Sequence, residues 1–137
     1  MVENKLDLIF KAYDVRGIYG QTLTNDIAYN IGTAFSQFVE SETIIVGHDG
    51  RNSNEEIFKC VAAGIISNNK KVFYIGTVPT DVVYSLSGLM NLPGMIITAS
   101  HNPKDWNGFK FCNSGASPIG IELSLIHISE PTRPYWI

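Results

Sequence analysis

Apolar positions along the chain alternate between short continuous runs and longer periodic stretches. "LIFKAYDVRG", residues 8–17, has the aromatic and β-branched content of a strand, and Gly17 ends it before the polar turn "IYGQTLTN". Ile27, Ile31, Ala34, Phe35 and Phe38 then recur at three- and four-residue spacing behind Thr24, a candidate N-cap, which predicts a helix to Glu40. "TIIVG" is a short apolar strand. Ser53 and Glu56 stand at capping-box spacing ahead of Ile57, Val61, Gly64 and Ile65, the inner face of a second helix. "KKVFYIG" gives a third strand, "PTDVVYSLSGLM" a helix opened by Thr80 or Asp81, and "GMIIT" a fourth strand. This β-α-β-α-β-α-β order, with strands apolar throughout, predicts an α/β domain whose mostly parallel sheet is covered on both faces. Beyond it, Lys110 alternates with Phe109 and Phe111 and so points away from the face those rings bury, while Asn107-Gly108 is expected as a turn leading the chain back toward Ser100.

With 137 residues, 45% of them hydrophobic, the chain suffices for one core and not comfortably for two. Charged residues make up 17% and the net charge is −3, so there is no basic field for nucleic acid or an anionic membrane, and a small-molecule partner is expected. No apolar run approaches a membrane span, and the N-terminus lacks a signal-peptide core, so the expected location is the cytoplasm. Cys60 and Cys112 are too few for a disulfide framework and are expected to be reduced. The last stretch, "LSLIHISEPTRPYWI", has no helical or alternating period and carries Pro131 and Pro134. It resembles translated adapter read-through. The expected organisation is a domain over residues 1–122 and a non-native tail over 123–137, which removes His127 and Arg133 from the functional argument.

In an open α/β sheet, ligands collect at the carboxyl ends of the strands. Four loops lie there, around Arg16, Arg51, Thr80 and Ser100, and the segment after the fourth strand adds Lys110. Two arginines, a lysine, His101 and a hydroxyl suit a phosphate. As a hydrolase nucleophile Ser100 would need His101 as base, yet adjacent residues of extended chain point to opposite sides, and no G-x-S-x-G elbow is present. As a phosphoserine it would need cations or a metal nearby. The acids Asp14, Asp49, Asp81 and Asp105 are scattered singly, with no cluster to hold Mg²⁺. Arg51 reads as a structural or domain-contact residue, Asp49-Gly50 as a turn, and His48 as a satisfied loop histidine.

"TASHNP" is similar to the active-serine signature of the α-D-phosphohexomutases, the phosphoglucomutase and phosphomannomutase family. "FKAYDVRG", "VGHDGRNS", and "NGFKF" followed by "GASPIG" resemble three further motifs of that family in the same order. The resemblance implies the first domain of such an enzyme, a three-layer fold with a mixed, mainly parallel sheet. It implies that Ser100 carries the phosphoryl group and ligates Mg²⁺ through its phosphate, that Arg16 and Lys110 lie near the sugar hydroxyl and phosphate, and that His101 lines the same site. The implied reaction interconverts hexose 1-phosphate and hexose 6-phosphate through a hexose 1,6-bisphosphate. Domains two to four, which supply the metal loop, sugar recognition and a phosphate-binding loop, would be missing partners, and the fragment alone would be inactive. The alternative is a non-catalytic sugar-phosphate binding module.

Overall fold

The computed structural model describes residues 14–100 and 102–118. Strand β1, Asp14–Ile18, is followed by α1, Asn25–Phe38; β2, Thr43–His48; α2, Asn54–Ile66; β3, Lys71–Thr77; α3, Thr80–Met90; β4, Gly94–Ile97; and β5, Trp106–Asn113. A 3₁₀ turn, Ser114–Ala116, leads into the two-residue β6, Ser117–Pro118. Residues 8–13 of the expected first strand, His101 and the expected tail lie outside the described residues.

The sheet order is β1-β5-β4-β2-β3, with β6 on the outer part of β5. Strands β4, β2 and β3 are parallel, and β5 runs antiparallel to both β4 and β1. The mixed sheet of the α/β reading is therefore present, and its mixing comes from β5. Helices α1 and α2 cover one face over a core that includes Phe35, Ile44, Val46, Ile57, Phe109 and Phe111. Helix α3 covers the other face over Ile45, Val83 and Ile96. Both helical stripes read from the sequence turn inward, although Ile27 and Phe38 are only half-buried at the margin. Helices α1 and α2 meet almost backbone to backbone: a Cβ at Gly32 would fall on the Val61 carbonyl, and one at Gly64 on that of Tyr29.

Four local expectations are corrected. The Thr24 side chain does cap α1, accepting from the Ile27 N–H, but Ser53 does not cap α2. Its backbone is already helical (φ −81°, ψ −3°), and its hydroxyl accepts from Asn107 instead. Neither Thr80 nor Asp81 caps α3: Thr80 is its first residue, and Pro79 holds the cap position without a side-chain bond. Asn107-Gly108 is not a turn, because both residues sit inside β5, paired with Gly17 and Arg16. Finally, β3 is an edge strand, so its apolar run is not fully covered and Phe73 and Tyr74 remain 39% and 48% exposed.

Candidate active site

The loops after β2 and β4 are built into one unit. Strand β4 delivers Thr98, Ala99 and Ser100 to the carboxyl edge of the sheet, where Thr98 N–H still pairs with the Gly108 carbonyl and Asp49 N–H with that of Ile97. Asp49 then binds both loops through its side chain. One carboxylate oxygen accepts from the Arg51 N–H (3.2 Å) and Asn54 Nδ2 (2.9 Å). The other accepts from Arg51 Nε (3.1 Å) and the Thr98 hydroxyl (2.7 Å). That hydroxyl in turn accepts from the Ser100 N–H at 3.0 Å. Asn107, buried at the base, donates to Ser53 Oγ and Asn54 Oδ1 and ties β5 to the start of α2.

Arg51 completes the unit. Its side chain is 11% exposed, and its guanidinium donates to the carbonyls of Ser100 (2.7 Å), Asn102 (3.1 Å), Pro103 (2.7 Å) and Trp106 (3.2 Å). Nη1 shares its two N–H groups among the Asn102, Pro103 and Trp106 carbonyls, Nη2 takes that of Ser100 and Nε faces Asp49, a spread over three nitrogens that a single ammonium nitrogen cannot make. Sequence reading gave Arg51 a structural or domain-contact role, and these contacts are structural, within the domain. It missed Asp49, taking Asp49-Gly50 for a turn, and it missed Thr98, Asn102 and Asn107. The acid–x–arginine spacing directly after an apolar strand was the available signal.

Ser100 sits at the apex with φ +56°, a left-handed conformation that costs a non-glycine residue roughly 1 kcal/mol. Both of its backbone polar groups are engaged. Its half-buried hydroxyl has no hydrogen-bond partner among the described residues. Arg16, on β1, reaches the same loop by donating from Nη1 to Asn102 Oδ1 at 2.7 Å. Gly108 faces it across the ladder, so the Arg16 side chain lies over a position without a Cβ. Lys110 stands two residues further along β5, on the face opposite Phe109 and Phe111 and hence on the face of Arg16, in register with Asp14 and Ile96. The structure thus joins Arg16 to the serine loop and sets Lys110 on the same sheet face. A cavity of about 280 Å³ beside the loop is lined by Asp49, Gly50, Arg51, Asn52, Asn102 and Lys104.

His48 is satisfied as expected. Its Nδ1 donates to the Asp49 carbonyl (2.9 Å), which leaves Nε2 to accept from the Tyr74 hydroxyl (2.7 Å). Both cysteines are free, and burial pushes their thiols up in pKa, Cys112 being fully buried and Cys60 half-buried. Among the described residues, no three His, Cys, Asp or Glu side chains come together to hold a metal ion. Asp49, the acid of this loop pair, already accepts from four donors. No described helix is long and apolar enough to cross a membrane.

Partial burial alone would push the Asp49 carboxyl up, but donors from Asn54, Thr98 and Arg51 outweigh it and hold the group below the ordinary carboxylate range. A depressed folded-state pKa contributes stability that is fully present above the unfolded value, about pH 4, and is lost as pH falls through the folded value. Asp49→Asn is therefore expected to be less stable than the parent at pH 7 and to show a flatter acid limb in urea titrations from pH 6 to pH 3. An unchanged acid limb would mean that this network does not set acid sensitivity.

The fold and this loop pair define a class: a three-layer α/β domain presenting a serine, held by its backbone, at the carboxyl edge of a mixed sheet. A family model described as phosphoglucomutase/phosphomannomutase, alpha/beta/alpha domain I, matches residues 7–126. A phosphomannomutase of Vibrio cholerae is 39% identical over 125 residues, covering 87% of this chain and 27% of that protein. One of Methanocaldococcus jannaschii is 40% identical over 113 residues, covering 82% of this chain and 25% of that protein. The crystal structure of a phosphoglucomutase/phosphomannomutase family protein from Burkholderia thailandensis superposes with a TM-score of 0.78 at 35% identity, over 90% of this chain and 29% of that one. The chain belongs to the phosphoglucomutase/phosphomannomutase family and corresponds to its first domain. It spans about a quarter of the length of these two phosphomannomutases.

Proposed function

We propose that this chain supplies the phosphoserine of a hexose-phosphate mutase whose other parts correspond to the remaining three-quarters of the Vibrio cholerae and Methanocaldococcus jannaschii proteins. The observation that carries the reading is the state of Ser100. Its hydroxyl is uncommitted among the described residues, while the peptide groups on both sides of it are held. Such an oxygen can carry a phosphoryl group without breaking any contact that shapes the loop. In the first step a hydroxyl oxygen of hexose 1- or 6-phosphate bonds to phosphorus as the Ser100 Oγ–P bond breaks, and the hydroxyl proton passes to the serine oxygen. The bisphosphorylated sugar reorients. In the second step the reverse exchange at the other position returns a phosphoryl group to Ser100, so the net change is a shift of phosphate between C1 and C6.

Arg16 and Lys110 fit the binding of a sugar phosphate, since they share one sheet face and Arg16 already contacts the serine loop. His101 belongs to this reading through the resemblance of "TASHNP" alone. Mg²⁺ enters it in the same way, with a phosphate oxygen on Ser100 as one ligand. This chain offers no cluster of three or more His, Cys, Asp or Glu ligands among its described residues.

The test is a chimera in which residues 1–122 replace the corresponding segment of the Vibrio cholerae phosphomannomutase. Phosphopeptide mapping is expected to find phosphate on Ser100, and the purified chimera is expected to interconvert hexose 1- and 6-phosphates. A folded chimera that binds hexose phosphate in calorimetry, carries no phosphate on Ser100 and turns nothing over would instead support the sugar-phosphate binding module.

A further inference from the structure

We propose that Arg51 is the positioning residue that makes the serine loop receptive to a phosphate dianion, by gathering onto its guanidinium the carbonyl oxygens of Ser100, Asn102, Pro103 and Trp106. The inference deepens the phosphoserine reading and rests on it. Four carbonyls within seven residues carry partial negative charge, and each one left facing Ser100 would repel a phosphate of nearly two negative charges. A tight loop with a left-handed residue at its apex offers few ways to hide them. Arg51 collects all four on one side chain, while Asp49 fixes its Nε edge and, through Thr98, the Ser100 N–H. The Asp49–Arg51 pair is electrically neutral as a unit. What it changes is where the loop's carbonyl dipoles point. Lysine would keep the charge of Arg51 but cannot span four acceptors.

The local potential can be read without turnover. In the full chain carrying Ser100→Cys, the introduced thiol is modified by two methanethiosulfonates of similar size, one anionic (sulfonate) and one cationic (trimethylammonium). Peptide mass mapping separates its reaction from those of Cys60 and Cys112. The anionic-to-cationic rate ratio is expected to fall roughly fivefold on adding Arg51→Ala, to fall similarly with Arg51→Lys, and to recover toward the parent value when millimolar guanidinium is added to the alanine variant. Simple loosening of the loop raises both rates together and leaves the ratio alone. A folded Arg51→Lys variant with the parent ratio would overturn the proposal, because charge alone would then suffice. So would an unchanged ratio in Arg51→Ala, and Arg51→Lys carries the test if the alanine variant does not fold. Failure of the mutase reading would appear in the chimera's turnover and not in this ratio, so the two outcomes are separable.

Discussion

In the chimera, Ser100→Ala is expected to abolish phosphoryl exchange, with turnover falling at least about a thousandfold, because no other oxygen at the loop apex takes over the covalent step. The loop itself should barely notice. The hydroxyl makes no hydrogen bond among the described residues, so the alanine variant of the 137-residue chain should unfold in urea within about 0.5 kcal/mol of the parent. Ser100→Gly separates the two roles further. At φ +56° a glycine relieves the left-handed strain, and this variant should be more stable than Ser100→Ala by about 1 kcal/mol while being equally inactive. An alanine variant that loses stability but keeps exchange would reverse the assignment, making Ser100 a structural loop residue.

Gly108→Ala is expected to be the most damaging single methyl in the sheet, costing about 3 kcal/mol in urea unfolding of the chain. An added Cβ would fall on the Val15 carbonyl and lie 2.9 Å from Arg16 Cα, and both of these are backbone atoms that cannot rotate away. Strand β1 would have to move off β5, taking Arg16 from Asn102. Gly88→Ala provides the contrast. Gly88 lies in α3 with nothing closer than 4.0 Å to its missing Cβ, so alanine there should stabilise by about 0.5–1 kcal/mol through helix propensity. Opposite signs for the two substitutions would show that close approach, and not glycine content, makes position 108 sensitive. A Gly108→Ala chain as stable as the parent would mean that β1 and β5 are not paired in this register.

The helices were legible because each buries one stripe, which leaves a helical period, and β2 and β4 because they are buried on both faces, which leaves an unbroken apolar run. Ile31, Ala34 and Phe35 recur at helical spacing, and Ile44, Ile45 and Val46 run unbroken through a central strand. Asn107-Gly108 misled because the dipeptide that favours a tight turn is also one that lets a neighbouring backbone approach, and only the partner strand distinguishes the two. Ser53 misled because an N-cap residue is recognised by type and spacing, whereas its backbone conformation depends on the loop before it.

At the site the same division holds. Local order in the chain determined the fold class, the serine-bearing loop after β4, and the candidates Ser100, His101, Arg16 and Lys110, because the motif around Ser100 is contiguous and strand ends are readable. Tertiary structure decided that Asp49 and Thr98 fix the Ser100 backbone, that Arg51 holds four carbonyls 49 to 55 residues away along the chain, and that Gly108 makes room for Arg16. Hydrogen bonds to backbone carbonyls place no demand on the identity of the residue that owns the carbonyl, so Arg51 leaves no matching mark in the loop it holds.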